Sequence, residues 1–252
     1  MYIFNKTIHP KQFVVDVLSN FQNHGELLVK GRRNTIKIFP FEDKHVNVKQ
    51  FKQPNFLNTF VYRYIRKSKA QRSFEYAEYL LEKGIGTPTP YAFAEDRSGI
   101  GLGISYYFCE HVQADLTYRE LVEIPDFPDH EIILRKFSQF CIQLHDAGVE
   151  FKDHSPGNTL IKKTDNDYLF YLVDLNRMTF HKHMSFELRM KNMSRLTPKK
   201  EMVRVMANEY SKFYFEKSEE EIFNEMWKQT SEFQEKFFRK QRMKKKLKFW
   251  KK

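Results

Sequence analysis

The apolar residues of this chain change their spacing once, and that change limits the fold more than any other feature of the sequence. Through the first hundred or so residues the hydrophobic segments are short. Residues 26–30, 35–39 and 45–51 alternate or are rich in β-formers, and Gly31-Arg32-Arg33-Asn34 and Phe41-Glu42-Asp43 supply turn signals between them. This spacing predicts an antiparallel three-stranded meander, preceded by a short helix over residues 10–21. A helix follows over 68–83, where Phe74, Ala77, Leu80 and Leu81 fall at helical spacing and Gly84 is a stop. Thr87-Pro88-Thr89-Pro90 then forms a rigid connection to strands at 91–95 and 103–109, around a glycine-rich hairpin at 98–101. From about Leu116 the period becomes that of helices, with amphipathic segments at 129–146, 201–215 and 219–240. A β-rich half followed by an α-rich half implies an α+β fold of two lobes, joined near residues 110–114. The divisions expected are 1–109, 110–235 and a basic tail at 236–252.

The 252 residues, 41% of them hydrophobic, suffice for two small lobes with real cores. The first residues lack a basic start followed by an apolar run, and no window approaches 18 uncharged apolar residues. Neither a signal peptide nor a membrane span is expected. The two cysteines, Cys109 and Cys141, lie in apolar surroundings without metal-ligand or C-x-x-C spacing, so buried thiols in a reducing, cytoplasmic compartment are expected. A net charge of +11 fits partners that are nucleic acids, membrane surfaces or anionic substrates. Its distribution is uneven: no acidic residue follows Glu235, whereas ten lysines and arginines do, which leaves the rest of the chain close to neutral.

Between the long helix and those that follow, the chain reads His145-Asp-Ala-Gly-Val-Glu-Phe-Lys-Asp153-His-Ser-Pro-Gly-Asn158-Thr-Leu-Ile. A polar turn leads to an apolar strand ending in Asp174-Leu-Asn-Arg177. An Asp, an Asn five residues on and a second Asp closing a strand are the residue types that phosphoryl transfer from ATP requires. Asp153 would orient the accepting hydroxyl. Asn158 and Asp174 would offer hard oxygen ligands to Mg²⁺, and the Pro156-Gly157 turn would bring the first two side chains to one side. Each residue alone has a plainer explanation as a turn former or a solvated charge. The ordered combination, flanked by Leu144-His145, Gly148-Val149 and Thr159-Leu160-Ile161, favours the chemical reading.

Such a site needs a strand lysine for the phosphates and a helix carboxylate to orient it. Lys49 on the third strand and Glu75 early in the following helix have the better spacing, with Lys52 and Glu78 as rivals. The Gly31-Arg-Arg-Asn turn is a thin phosphate loop with a single glycine. It reads equally as an anion-binding nest in which Gly31 and Arg33 touch the nucleotide, or as an exposed hairpin turn. Glu110 and His111, in the segment joining the lobes, complete the nucleotide-binding candidates.

With these residues in place, the chain over roughly 25–180 resembles the lipopolysaccharide core kinases, the Kdo and heptose kinase group of the protein-kinase-like superfamily, in versions from Bacteroidetes-type bacteria. The resemblance rests on Gly31-Arg-Arg-Asn-Thr-Ile-Lys, Val48-Lys-Gln-Phe, Arg66-Lys-Ser-Lys-Ala-Gln-Arg-Ser-Phe-Glu75, Gly84-Ile-Gly-Thr-Pro-Thr-Pro, Asp153-His-Ser-Pro-Gly-Asn158 and Asp174-Leu-Asn-Arg177. It implies a protein-kinase-like two-lobed fold and a catalytic Asp153. It also implies metal ligands Asn158 and Asp174, an ATP-orienting ion pair of Lys49 with Glu75, and a core sugar on lipid A as acceptor. Ordinary protein kinases have His-Arg-Asp where this chain has Phe151-Lys152-Asp153, and Asp-Phe-Gly where it has Asp174-Leu175-Asn176; no Ala-Pro-Glu follows. Peptide substrates and activation-loop control therefore fit poorly. A protein or small-metabolite kinase of the same fold, or a nucleotide-binding pseudokinase scaffold, are the alternatives.

The basic tail carries Phe237, Phe238, Leu247, Phe249 and Trp250 among its cations, which suits an interfacial helix on an anionic bilayer, here the inner face of the cytoplasmic membrane. Binding to single-stranded nucleic acid and plain solvated disorder are the competing readings.

Overall fold

The computed structural model describes residues 11–53, 67–97 and 102–249. It divides into two compact units, Met1–Gln113 with Leu172–Asn176, and Ala114–Tyr171 with Arg177–Lys252. The glycine-rich hairpin expected at 98–101, Pro10 at the expected start of the first helix, and Arg66 lie outside the described residues.

The first unit is built on one five-stranded antiparallel sheet. Its strands are β1 (Glu26–Lys30), β2 (Asn34–Phe41), β3 (Lys44–Phe51), β4 (Pro90–Glu95) and β5 (Ser105–Glu110), in the spatial order β1-β2-β3-β5-β4. The expected meander is present, and β3 is paired on both sides, with Lys49 opposite Ile36 of β2 and Tyr107 of β5. Alternation along β3 sends Val46 and Val48 to one face, where Val14, Val17 and Phe21 of helix α1 (Lys11–Asn20) and its exit pack with Phe39 and Phe108. Lys49 and Phe51 point to the opposite face. There Ala70 and Phe74 of helix α2 (Lys69–Glu82) meet Phe93, Tyr107 and Cys109, so the same alternation that builds the core fixes the lysine on the α2 side. Burying a side chain such as Phe74, 1% exposed, contributes about 1.5–3 kcal/mol.

Helix α2 begins where Ser68 accepts a hydrogen bond from the Gln71 N–H, and it stops at Gly84, whose φ of 70° suits a residue without Cβ. The returning segment Leu172–Asn176 is tied to this unit. The Leu172 N–H donates to the Gly86 carbonyl (2.9 Å), and Thr87 Oγ1 donates to the Leu172 carbonyl (2.8 Å).

The second unit is mainly helical: α3 (Tyr118–Glu123), α4 (His130–Asp146), α5 (Phe186–Met193), α6 (Lys200–Ser211) and α7 (Glu219–Phe249). Two small sheets complete it. β6 (Leu116–Thr117), β8 (Thr159–Lys163) and β9 (Tyr168–Leu172) form one, and β7 (Val149–Phe151) pairs antiparallel with β10 (Met178–Phe180) in the other. Ile133, Phe137, Cys141 and Leu144 of α4 and Met206 and Tyr210 of α6 are fully buried, and α6 and α5 both lie against α7. Both cysteines are buried and free, and burial pushes the Cys109 thiol up to about 12. The last expected helix reaches Phe249 rather than Lys240. Ile222, Phe223, Met226 and Thr230 bury its first turns, while residues 235–246 are all exposed. Among the described residues no helix is long and apolar enough to cross a membrane.

Candidate active site

The first unit gathers cations around one carboxylate. Lys49 Nζ lies 2.8 Å from Asp174 Oδ1, a contact between residues 125 positions apart, and its side chain is only 11% exposed. Asn176 Nδ2 donates to the same oxygen at 2.6 Å, and Arg72 Nη1 donates to the Asn176 carbonyl at 2.7 Å. Among the described residues Asp174 Oδ2 accepts nothing. Asp174 has a φ of 60°, a left-handed conformation that aspartate tolerates better than most residues and that is commonly held at functional positions. Lys49 and Lys69 both stand over the Phe51 ring, at 5.4 and 5.9 Å from its centroid. Burial and then the Arg33 guanidinium, with smaller effects of Arg72 and Lys49, push the Lys69 ammonium below lysine's ordinary value, and Asp174 opposes them. Lys49 and Lys69 therefore both feel the Asp174 carboxylate, and Arg33 and Arg72 lie close enough to Lys69 to disfavour its charge.

The expected pair of Lys49 with Glu75 is not formed. Glu75 accepts instead from Lys67 Nζ (2.9 and 2.8 Å) and Gln71 Nε2 (2.9 Å), all near its own helix. One ammonium cannot neutralise two carboxylates equally, and Lys49 is paired with Asp174 while Glu75 is neutralised by Lys67. At the thin loop, the Gly31 N–H closes the turn on the Asn34 carbonyl (2.9 Å), and a Cβ at Gly31 would sit 2.6 Å from Asn34 Oδ1. Glu110 accepts from Thr89 Oγ1 (2.8 Å), and the His111 N–H donates to the His45 carbonyl (3.0 Å), so both groups serve the sheet. Burial, with the neighbouring His45, pushes the His111 imidazole down.

The second unit holds the remaining candidates on one loop between β7 and β8. The Asp153 carbonyl accepts from the Ser155 N–H (2.7 Å) and from Asn158 Nδ2 (2.8 Å), and residues Pro156–Asn158 form a single 3₁₀ turn. With its nitrogen so engaged, Asn158 has an amide oxygen that is free among the described residues, as a metal ligand requires. Both Asp153 oxygens are held by arginines: Oδ1 by Arg195 Nη1 at 2.9 Å and Oδ2 by Arg177 Nη1 at 3.2 Å. The β7–β10 ladder, with Met178 opposite Phe151 and the Lys152 N–H donating to the Arg177 carbonyl (2.9 Å), sets Arg177 beside Asp153. Helix α5 supports the loop from below. Asn192 Nδ2 donates to the Phe151 carbonyl (3.0 Å), while Asn192 Oδ1 faces His145 Nε2 (3.3 Å) and Tyr210 OH lies 2.9 Å from His145 Nδ1.

No protein-family model and no curated protein matches this sequence. A solved structure of WaaP in complex with acyl carrier protein matches with a TM-score of 0.64 at 13% sequence identity, over 94% of this chain and 97% of that one. The two chains share a fold. That likeness establishes the kinase-like architecture expected from the sequence, a β-rich N-terminal part and a helical C-terminal part.

Hard oxygen donors suit Mg²⁺, which needs only one or two protein ligands when phosphate oxygens and water complete its shell. The unengaged oxygens of Asn158 and Asp174 fit that requirement. Among the described residues no cluster of three His, Cys, Asp or Glu side chains forms an all-protein metal site. Lys69 and Arg72 lie within the Arg66 to Glu75 run, whose spacing alone does not distinguish them from solvated helix charges. Arg195 gives no local signal, because only the packing of α5 brings its guanidinium to a carboxylate 42 positions earlier.

Proposed function

We propose that this protein is an ATP- and Mg²⁺-dependent phosphotransferase that moves the γ-phosphoryl group to a sugar hydroxyl of the lipopolysaccharide inner core, on Kdo or heptose. The observation that carries the reading is the 2.8 Å ion pair of Lys49 with Asp174. In this reading Lys49 is the phosphate-binding strand lysine and Asp174 the metal-binding carboxylate, 125 positions later in the chain. The shared fold with WaaP, a lipopolysaccharide core kinase, supports the same class of acceptor.

In this reading Lys49, with Lys69, Arg72 and Arg33 behind it, attracts and orients the triphosphate. Asp174 and Asn158 are the residues that would hold Mg²⁺, which neutralises charge on the phosphoryl group when bound. Asp153 orients the acceptor hydroxyl and takes its proton as the phosphate bond forms. Arg195 and Asn192 keep its loop in register. The test is ATP consumption by the purified protein with core lipid, with and without Mg²⁺. Asp153→Asn should retain nucleotide binding and lose transfer by at least about a hundredfold. Unchanged turnover in that variant would remove Asp153 from the chemistry.

The exposed turns of α7 supply a means of reaching a lipid-linked acceptor. Residues 235–246 are uniformly exposed, and Phe237 and Phe238 are 47% and 54% exposed among the cations. Near an anionic bilayer each lysine or arginine contributes up to about 1 kcal/mol. A chain ending at Glu235 should fold as the full chain does and no longer sediment with phosphatidylglycerol vesicles. Equal sedimentation of the two forms would rule out this membrane role at the inner face of the cytoplasmic membrane.

A further inference from the structure

The two arginines on Asp153 exceed what holding one carboxylate requires. Arg195 Nη1 already bonds both the Lys152 carbonyl (2.8 Å) and Asp153 Oδ1 (2.9 Å), and its guanidinium lies 5.0 Å from the Phe233 ring centroid. These contacts fix the loop and the carboxylate. Arg177 adds a second cation at 3.2 Å with a side chain 56% exposed, and a solvated pair of that kind contributes little to folding. One negative charge beside two positive ones leaves the group net cationic. Among the described residues no other carboxylate lies within ion-pair distance of either guanidinium, and their remaining N–H groups have no partner. Five donors in a rigid plane match an oxyanion in two-point fashion, which an ammonium cannot do.

We propose that Arg177 and Arg195 receive an oxyanion carried by the acceptor, so that the hydroxyl to be phosphorylated belongs to an acidic sugar and not a neutral one. The inference rests on the kinase reading of Asp153, since it places the acceptor beside that residue. Such a site ties recognition to chemistry. An acidic group seated on the free edges of the two guanidiniums sets a neighbouring hydroxyl within reach of the carboxylate that both of them hold. A neutral sugar would leave those donors to water and gain no such orientation.

The test is direct binding to the full-length protein by calorimetry without nucleotide, so that it does not depend on transfer. The probes are Kdo, its methyl ester, heptose 7-phosphate and heptose. The acidic probes should bind about ten- to a hundredfold tighter than their neutral counterparts. Comparison of Kdo with heptose 7-phosphate tells which oxyanion, carboxylate or phosphate, the site takes. Arg177→Gln should bring the ratio of acid to neutral close to one, and Arg177→Lys, which keeps the charge without the fork, should restore only part of it. Equal binding of acid and ester by the unaltered protein, or no binding of either, overturns the proposal without use of any variant. A preference for the acids that survives in both Arg177→Gln and Arg195→Gln overturns it as well. Failure of the kinase reading has a separate signature: acids that bind but are not phosphorylated with Mg²⁺ and ATP.

Discussion

Two buried histidines should make the stability of the helical unit fall as the solution turns mildly acidic. His145 and His154 are 1% and 0% exposed. Burial, with the charges of His154 and Arg189 and against the Asn192 hydrogen bond, pushes His145 down to about 3. Burial pushes His154 down to about 4, and nearby Asn192 opposes the shift only in part. Among the described residues neither nitrogen of the His154 ring has a hydrogen-bond partner, and Phe137 and Phe151 pack around it at 5.7 and 5.5 Å. In the unfolded chain both rings titrate near about 6.5. Below that value the unfolded state binds protons that the native state refuses, so stability is complete above about pH 7 and declines as pH falls. Between about pH 7.5 and 5.5 each ring accounts for a loss on the order of 1 kcal/mol. Carboxylates pulled down in the folded protein, such as Glu209 and Glu225, lose their contribution only below about pH 4.5 and leave this window clear. Urea unfolding followed by circular dichroism at the two pH values measures the loss. His154→Phe, which keeps a ring among rings, should remove its share of the loss, on the order of 1 kcal/mol, and leave the parts due to His145 and the half-buried His111. A variant with the same pH slope as the parent would show that His154 is not held neutral.

Lys49→Met should raise the KM for ATP and lower kcat by at least about a hundredfold, whereas Glu75→Gln should cost less than about tenfold, because Glu75 is engaged by the exposed Lys67 and by Gln71 and not by Lys49. Equal losses in a steady-state assay would show that the two residues pair when nucleotide is bound. Gly148 has a φ of 72°, and a Cβ there would run into the His181 carbonyl, so Gly148→Ala should destabilise the protein by more than about 1 kcal/mol, read as a drop in melting temperature.

What the sequence disclosed follows the length and regularity of each element. Strands β1 to β5 and helices α2 and α4 could be read because their apolar residues repeat over several turns or pairs. Strands β6, β7 and β10 are two or three residues long, too short for any period to register. Helix α5 hid for a different reason: Arg189 and Asn192 are 5% and 6% exposed, so its inward face is partly polar and its pattern resembles a surface loop. Those two side chains are buried because each has partners. Arg189 bonds Asp146 (2.6 Å), and Asn192 bonds the Phe151 carbonyl. Helix α3 did carry a signal in Thr117 and Glu120, a capping box that the structure forms on both sides.

The candidate site shows the same limit in its charges. Composition directed attention to the tail, because there the cations have no acidic neighbours in sequence. Outside the tail the chain is nearly neutral, yet Lys49 and Lys69 both feel Asp174, with Arg33 and Arg72 near Lys69, and Arg177 and Arg195 share one Asp153. The compensating acids are spent elsewhere, on helix pairs such as Lys217 with Glu221 and Arg204 with Glu220. Summed charge cannot reveal that separation, because it depends on which residues folding brings within a few ångströms of one another. Both candidate carboxylates consequently lie near cations, and in the proposed reading Asp174 faces a triphosphate and Asp153 an acidic acceptor. A neutral acceptor would account for the first set of cations and for Arg195 as a brace of the Asp153 loop, but not for the exposed Arg177, and for that reason the comparison of acid with ester discriminates more sharply than loss of activity on removing Asp153.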